Sequence, residues 1–91
     1  MVEIYYSPQF AKMYRRLSSL VKQKAERREH IFRRDPHDPR LKTHTLSGPL
    51  KGYWAFSIDY HYRIIFSFAK DQEVRFHVIG KHEIYNSFRA P

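Results

Sequence analysis

The chain has no cysteine, three glycines and a single tryptophan among 91 residues. Without cysteine there is no disulfide framework, no thiolate zinc site and no cysteine nucleophile. Three glycines cannot supply a glycine-rich phosphate loop or a dinucleotide-binding turn. No apolar run approaches the ~20 residues that cross a bilayer. The N-terminus, Met1 to Tyr6, lacks the basic and then apolar regions of a secretory signal. These features are those expected of a soluble, cytoplasmic protein. Acidic residues are also scarce: nine Asp and Glu face seventeen Lys and Arg, a net charge of +8. Such an excess points to an anionic partner, whether nucleic acid or an acidic protein. A membrane surface fits least, because the only tryptophan falls in a strand-like run rather than on a basic amphipathic helix.

What the chain does have is aromatic bulk, with seven Phe and seven Tyr. That is enough for one compact core, and residues 1–91 read as a single domain. Val2 to Tyr6 alternates loosely, as a strand does. Ser7-Pro8 then marks a helix start, a capping hydroxyl followed by a residue suited to the first helical position. Phe10, Met13, Tyr14, Leu17, Leu20 and Val21 follow at helical spacing, and Ser18-Ser19 divides them into two helices. The second helix runs from Ser19 to Arg34, with a thin apolar face of Val21, Ala25, Ile31 and Phe32. Between Lys12 and Arg34 there are nine basic residues and two acidic ones. This is either a nucleic-acid footprint or an ordinary solvated face.

Asp35-Pro36-His37-Asp38-Pro39 cannot continue a helix. After a polar stretch with a turn at Ser47-Gly48-Pro49, three strands alternate: 53–59, 62–68 and 73–80. Trp54, Phe56 and Ile58 share one face with Tyr62, Ile64, Phe66 and Phe68, and with Val74, Phe76 and Val78. The predicted fold is α+β, in the order β-α-α-β-β-β. Two N-terminal helices pack on one face of an antiparallel sheet. The other face then carries Tyr53, Ser57, Asp59, Arg63, Ser67, Arg75 and His77, a polar surface on which strands would hold ligand-binding groups rigidly.

Six histidines (30, 37, 44, 61, 77, 82) show no metal-ligand spacing, so neither a metal nor another cofactor is expected. His, Arg, Lys and Tyr on a basic scaffold suit metal-free RNA cleavage, which needs a base, an acid and cations around a pentacoordinate phosphate. Simple RNA binding suits them equally well.

Four segments make the reading specific: Leu41-Lys42-Thr43-His44-Thr45-Leu46-Ser47-Gly48; Lys51-Gly52-Tyr53-Trp54; Tyr62-Arg63-Ile64-Ile65-Phe66; and Ile79-Gly80-Lys81-His82-Glu83-Ile84-Tyr85. Together with Ser7-Pro8-x-Phe10 and the basic helical hairpin, they resemble the RelE/ParE toxin superfamily, most closely its YafQ- and YoeB-type mRNA interferases. The resemblance spans nearly the whole chain. It implies a RelE-like fold and the toxin of a type II toxin–antitoxin pair, cutting mRNA on the ribosome without a metal. It also implies an acidic antitoxin as partner and contacts with ribosomal RNA. The ParE branch instead poisons DNA gyrase, and a degenerate member would only bind RNA or antitoxin.

By the same resemblance, His44 stands where YafQ-type toxins have a His and YoeB-type toxins a Glu, and is assigned general base. Arg63 matches the strand arginine that contacts the scissile phosphate; the alternative is an ion pair with Asp59 or Glu73. His82 matches the C-terminal His of YafQ-type toxins and is assigned general acid. His61 and Ser57 depart from the family pattern, standing where YafQ-type toxins carry an Asp and a second catalytic His; His61 is expected to supply what Ser57 cannot. Tyr85 either stacks on a base or bonds the phosphate, or closes the core. Lys42, Lys51 and Arg75 are candidate RNA contacts. Arg15, Arg16, Lys22, Lys24, Arg27 and Arg28 are candidate contacts to ribosomal RNA. Trp54 is assigned to the core.

Overall fold

A computed structural model describes residues 1–90. The elements are β1 (Glu3–Tyr6), α1 (Pro8–Arg15), α2 (Ser19–Arg34), β2 (His44–Thr45), β3 (Trp54–Ser57), β4 (Arg63–Phe68), β5 (Glu73–Gly80) and α3 (Ile84–Ser87). Single 3-10 turns at Pro39–Leu41 and Gly48–Leu50 flank β2.

Local chemistry sets the helix boundaries. Ser7 Oγ accepts the Phe10 N–H at 2.9 Å, with Pro8 in the first turn. Ser18 Oγ accepts the Val21 N–H at 3.3 Å. Each such cap is worth roughly 1 kcal/mol. The two helices therefore begin and divide where the serines predict.

One five-stranded sheet runs β1-β5-β4-β3-β2. β3, β4 and β5 form the expected antiparallel hairpins. Three features depart from the sequence reading. The sheet is mixed, because β1 lies parallel to β5, with Ile4 opposite Val74 and Tyr6 opposite Phe76. The chain returns to β1 only after some 70 residues, and alternation in β1 carries no trace of that distant pairing. A two-residue strand, β2, joins the other edge, setting His44 opposite Ala55. A short C-terminal helix, α3, follows β5.

On one face, α1 and α2 cover a core of rings. Phe32 lies 4.8, 5.0 and 5.3 Å from Phe56, Phe66 and Phe76. Full burial of each such ring contributes about 1.5–3 kcal/mol. Trp54 packs at the margin of this core, as assigned.

The other face is not the continuous polar surface expected. Leu50, Ile65, Val78, Ile84 and Phe88 form a second apolar cluster there, with Leu46, Tyr53 and Tyr85 against it. Val78, assigned to the helix face, belongs to this cluster, because a β-bulge shifts the β4–β5 register between Ile65 and Phe66. Ile65 pairs with Val78 and Phe66 with Phe76, so His77 is the extra residue and alternation beyond it reverses. The sequence signal for a second buried face was the unbroken Ile64-Ile65-Phe66 run, since a strand covered on both sides loses its polar alternation.

Candidate active site on the second sheet face

β4 and β5 present Arg63 and Gly80 as direct partners, with Ser57 of β3 on Arg63's other side. Past Gly80 the chain turns into α3, which brings Tyr85 back over the sheet. Burial pushes the Tyr85 hydroxyl above its ordinary pKa, while the charge of the nearby Arg63 guanidinium pulls partly the other way. The phenol is therefore neutral near pH 7 and able to donate. The His82 ring lies 5.1 Å from the Tyr85 ring, edge to face. Arg63, Tyr85 and His82 thus form one cluster, built from the first residue of β4 and the start of the C-terminal segment.

Arg63 does not pair with Asp59 or Glu73. Its Nη1 donates to the carbonyl oxygens of Asp59, Tyr60 and Tyr62 at 2.7, 3.2 and 3.1 Å. The β3–β4 turn thus holds the guanidinium. That turn is itself organised by Asp59, whose carboxylate accepts the N–H groups of His61 and Tyr62 and lies 3.3 Å from Lys24 Nζ. Asp59 is a turn anchor, not part of a ligand-binding sheet face.

His44 occupies the same face. It stands opposite Ala55, which continues the row to Ile65 and Val78, one row from Ser57 and Arg63. Two strand spacings of ~4.8 Å and a two-residue offset put the His44 and Arg63 Cα atoms roughly 12 Å apart. Small residues, Ala55 and Ser57, lie between them. His44 Nδ1 is 2.9 Å from the Lys42 carbonyl oxygen, which orients the exposed ring. His61 is exposed in the β3–β4 turn, its ring edge-on to Tyr60 at 5.1 Å, and no contact ties it to the cluster.

Of the remaining candidates, Lys42 and Lys51 are exposed on the segments flanking β2. Arg75 shares the sheet face but pairs with Ser67, four residues along β4 from Arg63, roughly 13 Å away. The basic residues of α1 and α2 lie on the opposite side of the sheet. Arg15, Arg16 and Arg27 are exposed there. Lys24 is paired with Asp59, Arg28 donates to the Arg40 carbonyl at 3.0 Å, and Lys22 lies 5.8 Å from the Tyr14 ring centroid.

Two features of this face went unread in the sequence. A cleft of about 740 Å³ opens beside Tyr85, between the β2–β3 connection and the C-terminus, lined by Leu46, Pro49, Tyr85, Phe88 and Arg89 among others. The second is the role of Gly80. A Cβ there would meet Ile84 Cγ2 at 2.6 Å, so the missing side chain lets α3 close onto β5.

Neither a protein-family model nor any curated protein matches the chain in sequence. Solved structures match its shape closely. The YoeB/ParE toxin from Agrobacterium tumefaciens superposes with a TM-score of 0.76 at 18% identity, covering 89% of this chain and 99% of that one. YafQ from E. coli strain BL21(DE3) gives 0.72 at 22% identity, covering 93% and 98%. A heterotetrameric YoeB–YefM toxin–antitoxin complex from Staphylococcus aureus includes a chain that gives 0.72 at 19% identity, covering 90% and 98%. The protein has the α+β fold of the RelE/ParE toxin superfamily, with the YafQ- and YoeB-type toxins among its structural neighbours.

Proposed function

We propose that this protein is the toxin of a type II toxin–antitoxin pair and a metal-independent endoribonuclease that cuts mRNA on the ribosome. The observation that carries the reading is the clustering of Arg63, Tyr85 and His82 on the face that also holds His44. A gyrase inhibitor has no need of an arginine, a phenol and two imidazoles on one face. The toxin–antitoxin complex among its structural neighbours supports the antitoxin partner.

In this mechanism His44 removes the proton of the 2′-hydroxyl, which attacks the adjacent phosphorus. Arg63, fixed by the turn carbonyls through Nη1, offers its Nη2 and Nε donors to the non-bridging oxygens. The neutral Tyr85 hydroxyl donates to the same phosphate. His82 protonates the departing 5′-oxygen as the P–O5′ bond breaks. The products are a 2′,3′-cyclic phosphate and a 5′-hydroxyl. His61 is the reserve acid or base at the mouth of the turn, and Lys42 and Lys51 bind flanking phosphates. The cleft beside Tyr85 takes a neighbouring nucleotide. The basic outer surface of α1 and α2 binds ribosomal RNA, and an acidic antitoxin segment neutralises the protein by folding on it.

The test is induced expression of wild type beside His82→Ala, with growth and mRNA 5′ ends followed. The expected result is arrest with codon-phased cleavage in wild type alone. His44→Ala, Arg63→Ala and His82→Ala should each cost about 10²–10⁴ in cleavage rate without unfolding the chain. Inhibition of purified gyrase without RNA cleavage would replace this reading with a ParE-like one.

A further inference from the structure

His77 matches no catalytic position of the superfamily that the chain resembles, and alternation alone would make it an exposed bystander on the sheet face. The structure places it at the centre of a contact set. His77 faces the second side of the sheet, and the bulge there brings Val78 onto the same side beside it. Ser7, the cap of α1, pins that bulge: its N–H donates to the Phe76 carbonyl at 3.0 Å and its Oγ to the His77 carbonyl at 2.7 Å. His77 Nε2 and Ser67 Oγ of β4 are hydrogen-bonded at 2.8 Å. The Tyr53 ring meets the imidazole edge to face at 5.2 Å, and Phe88 covers it at 5.5 Å. Tyr53 and Phe88 also touch each other, at 5.3 Å.

Phe88 is 5% exposed although it lies near the chain end. Its N–H donates to the Ile84 carbonyl, and Tyr85 lies in the intervening turn. Whatever holds Phe88 therefore holds the orientation of Tyr85. We propose that His77 is a positioning residue: it seats Phe88 on the sheet, fastens the C-terminal segment, and so keeps Tyr85 and His82 at Arg63. The catalytic part of this inference rests on the proposed nuclease function; the fastening does not.

The proposal implies a dependence on pH. The titratable and charged groups around the ring are Arg75 on its own strand and the Tyr53 phenol; Ser67 and Phe88 are uncharged. Burial, and then the Arg75 charge, hold the imidazole pKa below its ordinary value. The ring is neutral near pH 7. Charging it in acid puts a cation beneath Phe88 with no anion facing it.

Amide hydrogen exchange on the full-length protein tests the fastening independently of cleavage. In His77→Ala, amides 84–88 should exchange about tenfold faster or more, while those of β3 and β4 keep their protection. Cleavage should fall about 10²-fold through kcat, with KM nearly unchanged, as expected for a displaced catalytic group. In wild type, protection at 84–88, corrected for intrinsic exchange, should fall as pH drops below about 6.5. In His77→Phe, which keeps a ring under Phe88, that pH dependence should vanish. Unchanged protection at 84–88 in a folded His77→Ala overturns the proposal, and so does loss of protection spread evenly over the sheet. If His77→Ala does not fold, His77→Phe decides, and persistence of the acid transition in it overturns the proposal. Loss of fastening in a protein whose wild type cuts no RNA would sink the nuclease function and leave the fastening standing.

Discussion

Gly80 lies directly beneath Ile84, and a Cβ at Gly80 would stand 2.6 Å from Ile84 Cγ2. Ile84 is 2% exposed and cannot move aside without opening the second cluster. Gly80→Ala should therefore destabilise the protein by about 1–3 kcal/mol, as overpacking does. Because α3 carries Tyr85, cleavage should suffer along with stability. Ile84→Ala alone should also destabilise, by leaving a cavity. The double variant should lose less than the two single losses added together, since each change makes room for the other. Urea denaturation of the four proteins reads the coupling; strict additivity would mean that Gly80 is not a spacing residue.

Asp59 should show its role in acid. Burial pushes its carboxyl up, but the backbone N–H groups of Tyr62 and His61 and the Lys24 ammonium outweigh that, and its pKa is lowered overall. A lowered carboxylate pKa contributes stability that is complete above the unfolded value near 3.9 and is lost as pH falls through the folded one. Asp59→Ala should cost about 1–2 kcal/mol at pH 7. The difference from wild type should shrink steadily below about pH 4. Thermal melts of both proteins across pH 2.5–7 would check this, and a pH-independent gap would show that the carboxylate charge is not what matters. The same variant should weaken cleavage, because Arg63 hangs from the turn that Asp59 organises.

Much of this architecture is legible from local chemistry. Ser7-Pro8 and Ser18-Ser19 mark the two helices because a capping hydroxyl acts within three residues of itself. β3, β4 and β5 follow from alternation and short turns for the same reason. What escapes is non-local or out of phase. The parallel seat of β1 depends on a partner 70 residues away, and the bulge at His77 is invisible to a count of every second residue. Val78 was misplaced for that reason. α3 spans a single turn, too short for periodicity to register. Within the candidate site, Arg63 is legible twice, from strand alternation and from its Tyr62-Arg63-Ile64-Ile65-Phe66 setting. Its mooring by carbonyl oxygens is not legible, since backbone acceptors leave no mark on residue identity.

The two-sided layout makes a prediction about salt. Candidate catalytic groups lie on one sheet face and the basic helices on the other, so ribosome anchoring and cleavage should be separable. If about five phosphates are neutralised, log affinity for ribosomes should fall with log salt at a slope of roughly −3 to −5. Reversing Arg27 and Arg28 to Glu should weaken binding and flatten that slope while leaving the fold intact. Lys24→Ala should matter less to binding, because its ammonium is already paired with Asp59. Binding that ignores both salt and charge reversal would remove the helices from the interface.

Tyr85 and Arg63 should act as a unit at the phosphate. The guanidinium's charge lowers the phenol's pKa against the upward push of burial, so Arg63 tunes the donor strength of Tyr85. Tyr85→Phe keeps the ring against the second cluster and removes only the hydroxyl. It should leave urea stability within about 1 kcal/mol of wild type. If the hydroxyl donates to the developing phosphorane, cleavage should fall about 10²-fold or more, mostly in kcat. Arg63→Ala should cost as much or more. The double variant should then be little worse than Arg63→Ala alone, as for groups that work on one oxygen cluster. Additive losses would place the two on different parts of the substrate. Products in every active variant should end in a 2′,3′-cyclic or 3′-phosphate, with no inhibition by EDTA. A 3′-hydroxyl end would rule out 2′-hydroxyl attack altogether, since that attack leaves the phosphate on the 3′ oxygen of the upstream fragment.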